Sequence, residues 1–290
     1  MISNAIHNFL LDWSLEIVPT EGFSGLNSSV AVPPGTSVYV TSIPGQGNAR
    51  LLQATETLKR AGFEPVPHIA ARSVTSIDGL HALLSALETL GVQRLLLLGG
   101  DIPRVTGPFA SSLEMLESGI LERYSFKQLG FATYPEGHPS IPTEVLETQL
   151  RSKIRVATEL GFESWLVTQL CFDTTATVRH IERFRARSIH IPIHVGLAGP
   201  TSWKGMVKFA AICGVSRSAR SLRSNVSRVR QLVSGFDPSD QIADLATFKA
   251  SSPFAGEIKP HFFTFGGSEK TTNWVTAFAR ENCLSRETVE

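Results

Sequence analysis

Leu129-Gly130-Phe131-Ala132-Thr133-Tyr134-Pro135-Glu136-Gly137-His138-Pro139 joins an apolar run to a polar and aromatic tip. A second join of the same kind follows, where Ser164 to Val167 leads into Thr168-Gln169-Leu170-Cys171-Phe172-Asp173. Each apolar run reads as a buried strand, and each tip lies where that strand surfaces. Parallel α/β proteins build their active sites at such places. The segment between the two tips is amphipathic, so they read as successive strands of one barrel opening onto one pocket.

Working outward, short apolar or β-branched runs recur at Leu15–Val18, Val38–Ile43, Glu64–Ile69 and Arg94–Leu98. They continue at Leu129–Tyr134, Ser164–Leu170, Ile191–Leu197 and His261–Phe265. Segments of helical period lie between them at Ala49–Ala61, Ser76–Leu90, Ser111–Ile120, Thr143–Leu160, Thr174–Arg187 and Thr201–Ile212. Ser76 with Asp78 marks a helix start, and Gly91 marks its stop. Strand–helix alternation with apolar strands implies a parallel sheet covered by helices. Eight units of about 35 residues each predict a (β/α)8 TIM barrel. An open, doubly wound sheet fits the same periodicity. Arg217–Ala250 is polar, helical in pattern and too long for one crossover, so extra helices are expected between strands 7 and 8. The absence of a linker or repeat assigns residues 1–290 to one domain.

With 290 residues, 42% of them apolar and 18% charged, the chain can bury a core of enzyme size. A net charge of +1 gives no reason to expect nucleic acid or an anionic membrane as partner. Arg217, Arg220, Arg223, Arg228 and Arg230 form a local basic stretch, read as a solvated helix face or an anion site. Cys171, Cys213 and Cys283 are too few and too scattered for a disulfide framework or a zinc site, which points to the cytoplasm. No signal peptide or membrane span is expected. A homo-oligomer is compatible with this reading.

If the barrel is right, the carboxyl end of each strand can be inspected in turn. The first offers Glu16, a carboxylate within an apolar strand; its pKa should rise unless it is paired. The alternative is a strand residue facing solvent. The second offers Thr41 and Pro44-Gly45-Gln46-Gly47-Asn48, which suits a phosphate and equally a tight turn. The third offers His68, a ligand contact or a satisfied core histidine. The fourth, Gly99-Gly100-Asp101, allows close ligand approach with an acceptor carboxylate, or a loop cap. Tyr134, Glu136 and His138 at the fifth tip, with Gln169 and Phe172 at the sixth, suit a flat heteroaromatic ligand. Trp203 follows the seventh strand and fits a ligand stack or a helix core. His68, His138 and His261 are not spaced as metal ligands, so no metal site is expected. Cys171 lies in an apolar context and should be inert.

In order along the chain, Glu16, Val40-Thr41, Pro67-His68, Gly100-Asp101-Ile102-Pro103 and Tyr134-Pro135-Glu136-x-His138-Pro139 resemble the methylenetetrahydrofolate reductases. Thr168-Gln169-x-x-Phe172-Asp173, Gly196-Leu197 and His261-Phe262-Phe263-Thr264 extend the resemblance. It implies a barrel enzyme that reduces 5,10-methylenetetrahydrofolate to 5-methyltetrahydrofolate with NAD(P)H, usually through FAD. By resemblance, Glu16 would protonate N10 and open the ring to a 5-iminium cation, and Asp101 would stabilise that charge. Gln169, Phe172 and Trp203 would hold substrate. Thr41, His68, Gly100, Asp101, Tyr134, His138 and Lys153 would hold the cofactor. Three departures bear on FAD: Gly99 stands where the family has arginine, Thr41-Ser42-Ile43-Pro44-Gly45 replaces the family's glycine-rich loop at the second tip, and Lys153 is out of register with the family's flavin lysine. The chain also resembles a divergent branch in which NADH gives hydride directly without flavin. A third reading is a methyltetrahydrofolate-binding protein that serves a methyl-transfer pathway.

Overall fold

The computed structural model describes residues 2–19, 32–102, 105, 107–212 and 235–284, without the side chains of residues 203, 212 and 284. Eight strands close into a parallel barrel: β1 (Ser14–Ile17), β2 (Ser37–Val40), β3 (Glu64–Ala70), β4 (Arg94–Leu98), β5 (Gln128–Thr133), β6 (Glu163–Thr168), β7 (Ile193–Ala198) and β8 (Ile258–Phe263). Each pairs with its sequence neighbours, and β1 pairs with β8 to close the ring. Closure excludes the open-sheet alternative. The described helices are α1 (Ile2–Phe9), α2 (Ala49–Arg60), α3 (Ile77–Thr89), α4 (Ser112–Glu117), α5 (Thr143–Glu159), α6 (Thr174–Ala186), α7 (Trp203–Ile212), α8 (Ser239–Ser251) and α9 (Ser268–Leu284).

Strand alternation divides the side chains into two cores. The outward set, including Leu15, Ile17, Val38, Val40, Leu95, Leu97, Phe131, Leu166, Val195 and Phe262, is buried against the helices. The inward set contains the apolar cluster Tyr39, Val66, Leu96, Trp165 and Val167. Its remaining members are polar, and they form the column described below. Gly130 makes room for the largest of the inward residues. A Cβ there would sit 2.5 Å from Trp165 Cζ2 and 2.9 Å from Leu96 Cδ1.

The sequence-derived boundaries hold for most elements. Ser76 caps α3 by accepting a hydrogen bond from Gly79 N–H at 3.1 Å, and Gly91, at φ +72°, follows its end. Five segments differ, among them β2, which ends at Val40 instead of Ile43. Helix α4 is shorter than expected because Gly119 adopts φ +71° and a 3₁₀ turn, Ile120–Arg123, follows. Strand β8 begins at Ile258 rather than His261, because Lys259 pairs with Asp12 at 2.5 Å and so sits in the ladder despite its charge. Helices α1 and α9 were not expected; α1 packs on α8 and α9 through its buried Ile6 and Phe9. Helix α7 answers to the segment expected over Thr201–Ile212; of the expected insertion the described residues show α8, while residues 217–230 lie outside them.

Candidate active site at the carboxyl ends of the strands

The barrel interior below the mouth is a hydrogen-bonded column. Tyr39 hydroxyl accepts from Trp165 Nε1 at 2.8 Å and lies 2.8 Å from His194 Nδ1, to which it donates. That assignment needs a neutral His194. Burial, reinforced by Arg94, holds its pKa well below the ordinary 6.5. Burial likewise pushes the Tyr39 phenol up, so it stays protonated. Arg94 closes the column from the other side, with its guanidinium 4.4 Å from the Trp165 ring centroid and Nη1 2.8 Å from Ser37 Oγ.

Glu16 sits above this column. Its Oε2 faces His68 Nε2 at 3.5 Å and His261 Nε2 at 3.9 Å. Neither ring nitrogen has a hydrogen-bond partner among the described residues. His261 is fully enclosed, and its Nδ1 lies 2.9 Å from Ser14 Oγ. Ladder geometry explains the grouping. Ser14 is the register partner of His261 across β1 and β8, and Glu16 stands two residues further along the same inward face. Burial raises the Glu16 pKa, but His68 and then His261 together outweigh it, leaving the group below the usual 4.5. The apolar setting expected from the sequence is therefore replaced by two imidazoles. His68 is itself lowered, chiefly by burial, with Glu16 opposing and His261 adding to the shift.

Thr41, just past β2, is anchored by its N–H on Ile17 O at 3.1 Å, and its Oγ1 is buried without a hydrogen-bond partner among the described residues. His68 also lines a cleft behind β2 and β3, together with Ser42, Asn48, Ser73 and Ser76. Ser73 Oγ is another buried atom without a hydrogen-bond partner among the described residues.

A second group forms at the β4 and β5 tips. Tyr134 and His138 meet edge to face with centroids 5.1 Å apart. Burial raises Tyr134 and lowers His138; the exposed Asp101 carboxylate adds to the first shift and opposes the second. Gly100 has φ +89°, and a Cβ there would lie 3.2 Å from Ala70 Cβ, which brings this tip against the end of β3. Where the fourth tip lacks arginine, Arg72 comes over from the end of β3. Its Nε donates to Ala110 O at 2.8 Å and its Nη1 approaches Ile102 O at 3.5 Å.

At the sixth tip the Gln169 N–H donates to Thr133 O at 2.7 Å, and its Oε1 accepts from Leu170 N–H at 2.9 Å. Phe172 packs edge-on to Phe236, 5.4 Å away, within an apolar cluster that includes Met206 and Phe263. Cys171 is buried, and burial pushes its thiol up to about 12, in keeping with an inert group. Lys153 is not brought to the Glu16 cluster. Its Nζ lies 5.9 Å from the ring of Phe131, an outward-facing β5 residue, and burial lowers it to about 8. Trp203 opens α7, and its side chain lies outside the described residues. No group of three or more His, Cys, Asp or Glu suited to a metal occurs among the described residues. None of the described helices is long and apolar enough to cross a membrane.

Sequence reasoning missed Ser14, Tyr39 and His194 and gave His261 no role in the site. The available signal was period two: Ser14 and Glu16 share a face, as do Tyr39 and Thr41.

A family profile described as methylenetetrahydrofolate reductase matches residues 30–230, more than half of the chain. The chain belongs to the methylenetetrahydrofolate reductase family. It is 27% identical over 168 residues to methylenetetrahydrofolate reductase (NADH) 1 of Arabidopsis thaliana, covering 52% of this chain and 27% of that one. It is 26% identical over 163 residues to 5,10-methylenetetrahydrofolate reductase of Pectobacterium carotovorum subsp. carotovorum, covering 55% and 52% respectively. The chain thus spans about a quarter to a half of the length of these relatives. In fold it is similar to an uncharacterized protein from Clostridium thermocellum that binds two copies of 5-methyl-5,6,7,8-tetrahydrofolic acid. That likeness has a TM-score of 0.57 and 11% identity, and it covers 98% of this chain and 100% of the other. The matched profile begins after Glu16, so the place of that residue in the site rests on the ladder geometry.

Proposed function

We propose that this reductase-family barrel converts 5,10-methylenetetrahydrofolate to 5-methyltetrahydrofolate with NAD(P)H. The observation that carries the reading is Glu16 at the mouth, enclosed by His68 and His261 and facing the end of the barrel where ligands bind. With His68 and His261 holding it below 4.5, Glu16 starts as a carboxylate and takes up its proton as substrate enters, with the His68 imidazole 3.5 Å away as the neighbouring proton carrier. In this role Glu16 gives its proton to N10 as the ring opens. The resulting carboxylate then faces the iminium cation, with Asp101 a second negative group. Gln169 holds the pterin edge with Phe172 behind it; a substrate role for Trp203, whose side chain lies outside the described residues, stays an expectation from the family resemblance.

FAD suits part of this site. The buried hydroxyls of Thr41 and Ser73, neither with a hydrogen-bond partner among the described residues, and the cleft lined by Ser42, Asn48 and His68 offer uncharged contacts. Gly100, Asp101, Tyr134 and His138 line the adjoining tips, while Lys153 points away from this region. A bound flavin would supply a hydride carrier between nicotinamide and folate. The second reading, direct transfer from NADH without flavin, is favoured by one observation: Arg72, the cation at the fourth tip, is engaged by backbone carbonyls. The test is the visible spectrum of the purified protein before and after FAD and desalting, followed by NAD(P)H oxidation with methylenetetrahydrofolate. A retained band near roughly 450 nm with folate-dependent turnover supports the flavoenzyme, and turnover by colourless protein supports direct transfer. Protein that binds methyltetrahydrofolate but turns over nothing sinks the reductase reading in favour of a folate-binding protein.

A further inference from the structure

His261 is wholly enclosed, so it touches neither substrate nor solvent, yet its Nε2 is aimed at the Glu16 carboxyl. Its other nitrogen is held by Ser14 Oγ at 2.9 Å. The ring is clamped on two further sides, by Tyr39 at 4.4 Å and Phe263 at 5.2 Å between centroids. An enclosed imidazole with one nitrogen bonded, two aromatic rings against it and the remaining nitrogen directed at a carboxylate oxygen has little freedom to turn away.

We propose that Ser14 and His261 form a positioning pair that holds the Glu16 carboxyl toward the barrel mouth. Ser14 hydroxyl donates to His261 Nδ1, which leaves the ring proton on Nε2, and that N–H faces Glu16 Oε2. The opposite tautomer would set two lone pairs against each other whenever Glu16 is ionised. The pair works from behind, across the β1–β8 ladder, while His68 approaches the same oxygen from β3. The titratable groups around Glu16 are His68 and His261, with Tyr39 below. Around His261 they are Glu16, His68, Tyr39 and His194, with Arg94 and Lys259 further down the barrel.

The proposal rests on the reductase reading for its catalytic meaning, but its test does not. The Glu16 carboxyl carbon is titrated by NMR in wild type, Ser14→Ala, His261→Gln and His261→Phe, each checked for native near-ultraviolet dichroism. His261→Phe should raise the Glu16 midpoint, because burial then acts with one imidazole fewer against it. His261→Gln keeps an N–H near the Nε2 position and should restore most of the wild-type value, with Ser14→Ala intermediate. Unchanged midpoints across the folded variants overturn the proposal; if neither His261 variant folds, Ser14→Ala decides it alone. In steady-state folate reduction, His261→Phe should lower kcat about tenfold, as for misplacement of a reacting group, with KM within about twofold and rescue by Gln. A shifted midpoint in a protein without folate turnover would sink the reductase reading while leaving the pair in place.

Discussion

Replacing Glu16 by Gln tests the chemistry of the site with little change in shape. The amide is isosteric, still offers an oxygen to His68 and His261, and removes both the transferable proton and the negative charge. Two physical terms set the expected loss. General acid catalysis contributes about 10²–10⁴ in rate. Separately, a carboxylate about 4 Å from a developing cation is worth about 4 kcal/mol at an effective dielectric near 20, or about 10³ in rate. The two describe successive states of one group, so they do not multiply, and folate reduction should fall by about 10²–10⁴. Stopped-flow and steady-state assays with methylenetetrahydrofolate measure it. In a flavoenzyme, NAD(P)H oxidation by an artificial acceptor should stay near wild type, since that half-reaction needs no proton at N10. Because the two imidazoles hold the Glu16 pKa below 4.5 in the fold, its carboxylate adds stability at neutral pH, and the variant should fold with part of that stability lost. Folate turnover above a tenth of wild type would refute the assignment of Glu16.

Other outcomes follow from the same geometry. Tyr39→Phe strands Trp165 Nε1 and His194 Nδ1 in the interior, which should cost about 2–4 kcal/mol and lower Tm by about 5–10 °C; an unchanged melt would mean the column is not hydrogen-bonded. His180 is buried with its pKa lowered from 6.5 to about 3, chiefly by burial and further by Arg183. Its stabilising effect is complete above the unfolded value of 6.5 and is lost as pH falls, at about 1.4 kcal/mol per pH unit, down to about 3. His180→Leu should therefore flatten the acid arm of a urea-stability profile between those values. Equal slopes for the two proteins would disprove it. Gly130→Ala should be severely destabilising, because its methyl group would overlap the Trp165 indole; a soluble variant with an unaltered Trp emission spectrum would show that the barrel interior yields more than the packing implies.

Part of this protein was legible in its amino-acid order. Strand–helix alternation and continuous apolar strands required a covered parallel sheet, since such strands must be buried on both faces. Tips rich in Tyr, His, Gln and Asp marked the functional end, and Glu16 stood out as a carboxylate among apolar neighbours. Barrel closure was beyond local pattern, because it depends on β1 pairing with β8 across almost the whole chain. The environment of Glu16 was hidden for the same reason. Linear context showed leucine and isoleucine beside it, but those point outward into the helix layer, while its true neighbours arrive from β3 and β8. Lys153 shows the converse: sequence proximity to a family motif suggested a ligand contact, and helix phase turned it onto Phe131. Sequence by itself determined which residues could be strands and which groups could do chemistry. Only the tertiary structure decided which of them meet, because closing the barrel is what brings distant strands within hydrogen-bond reach.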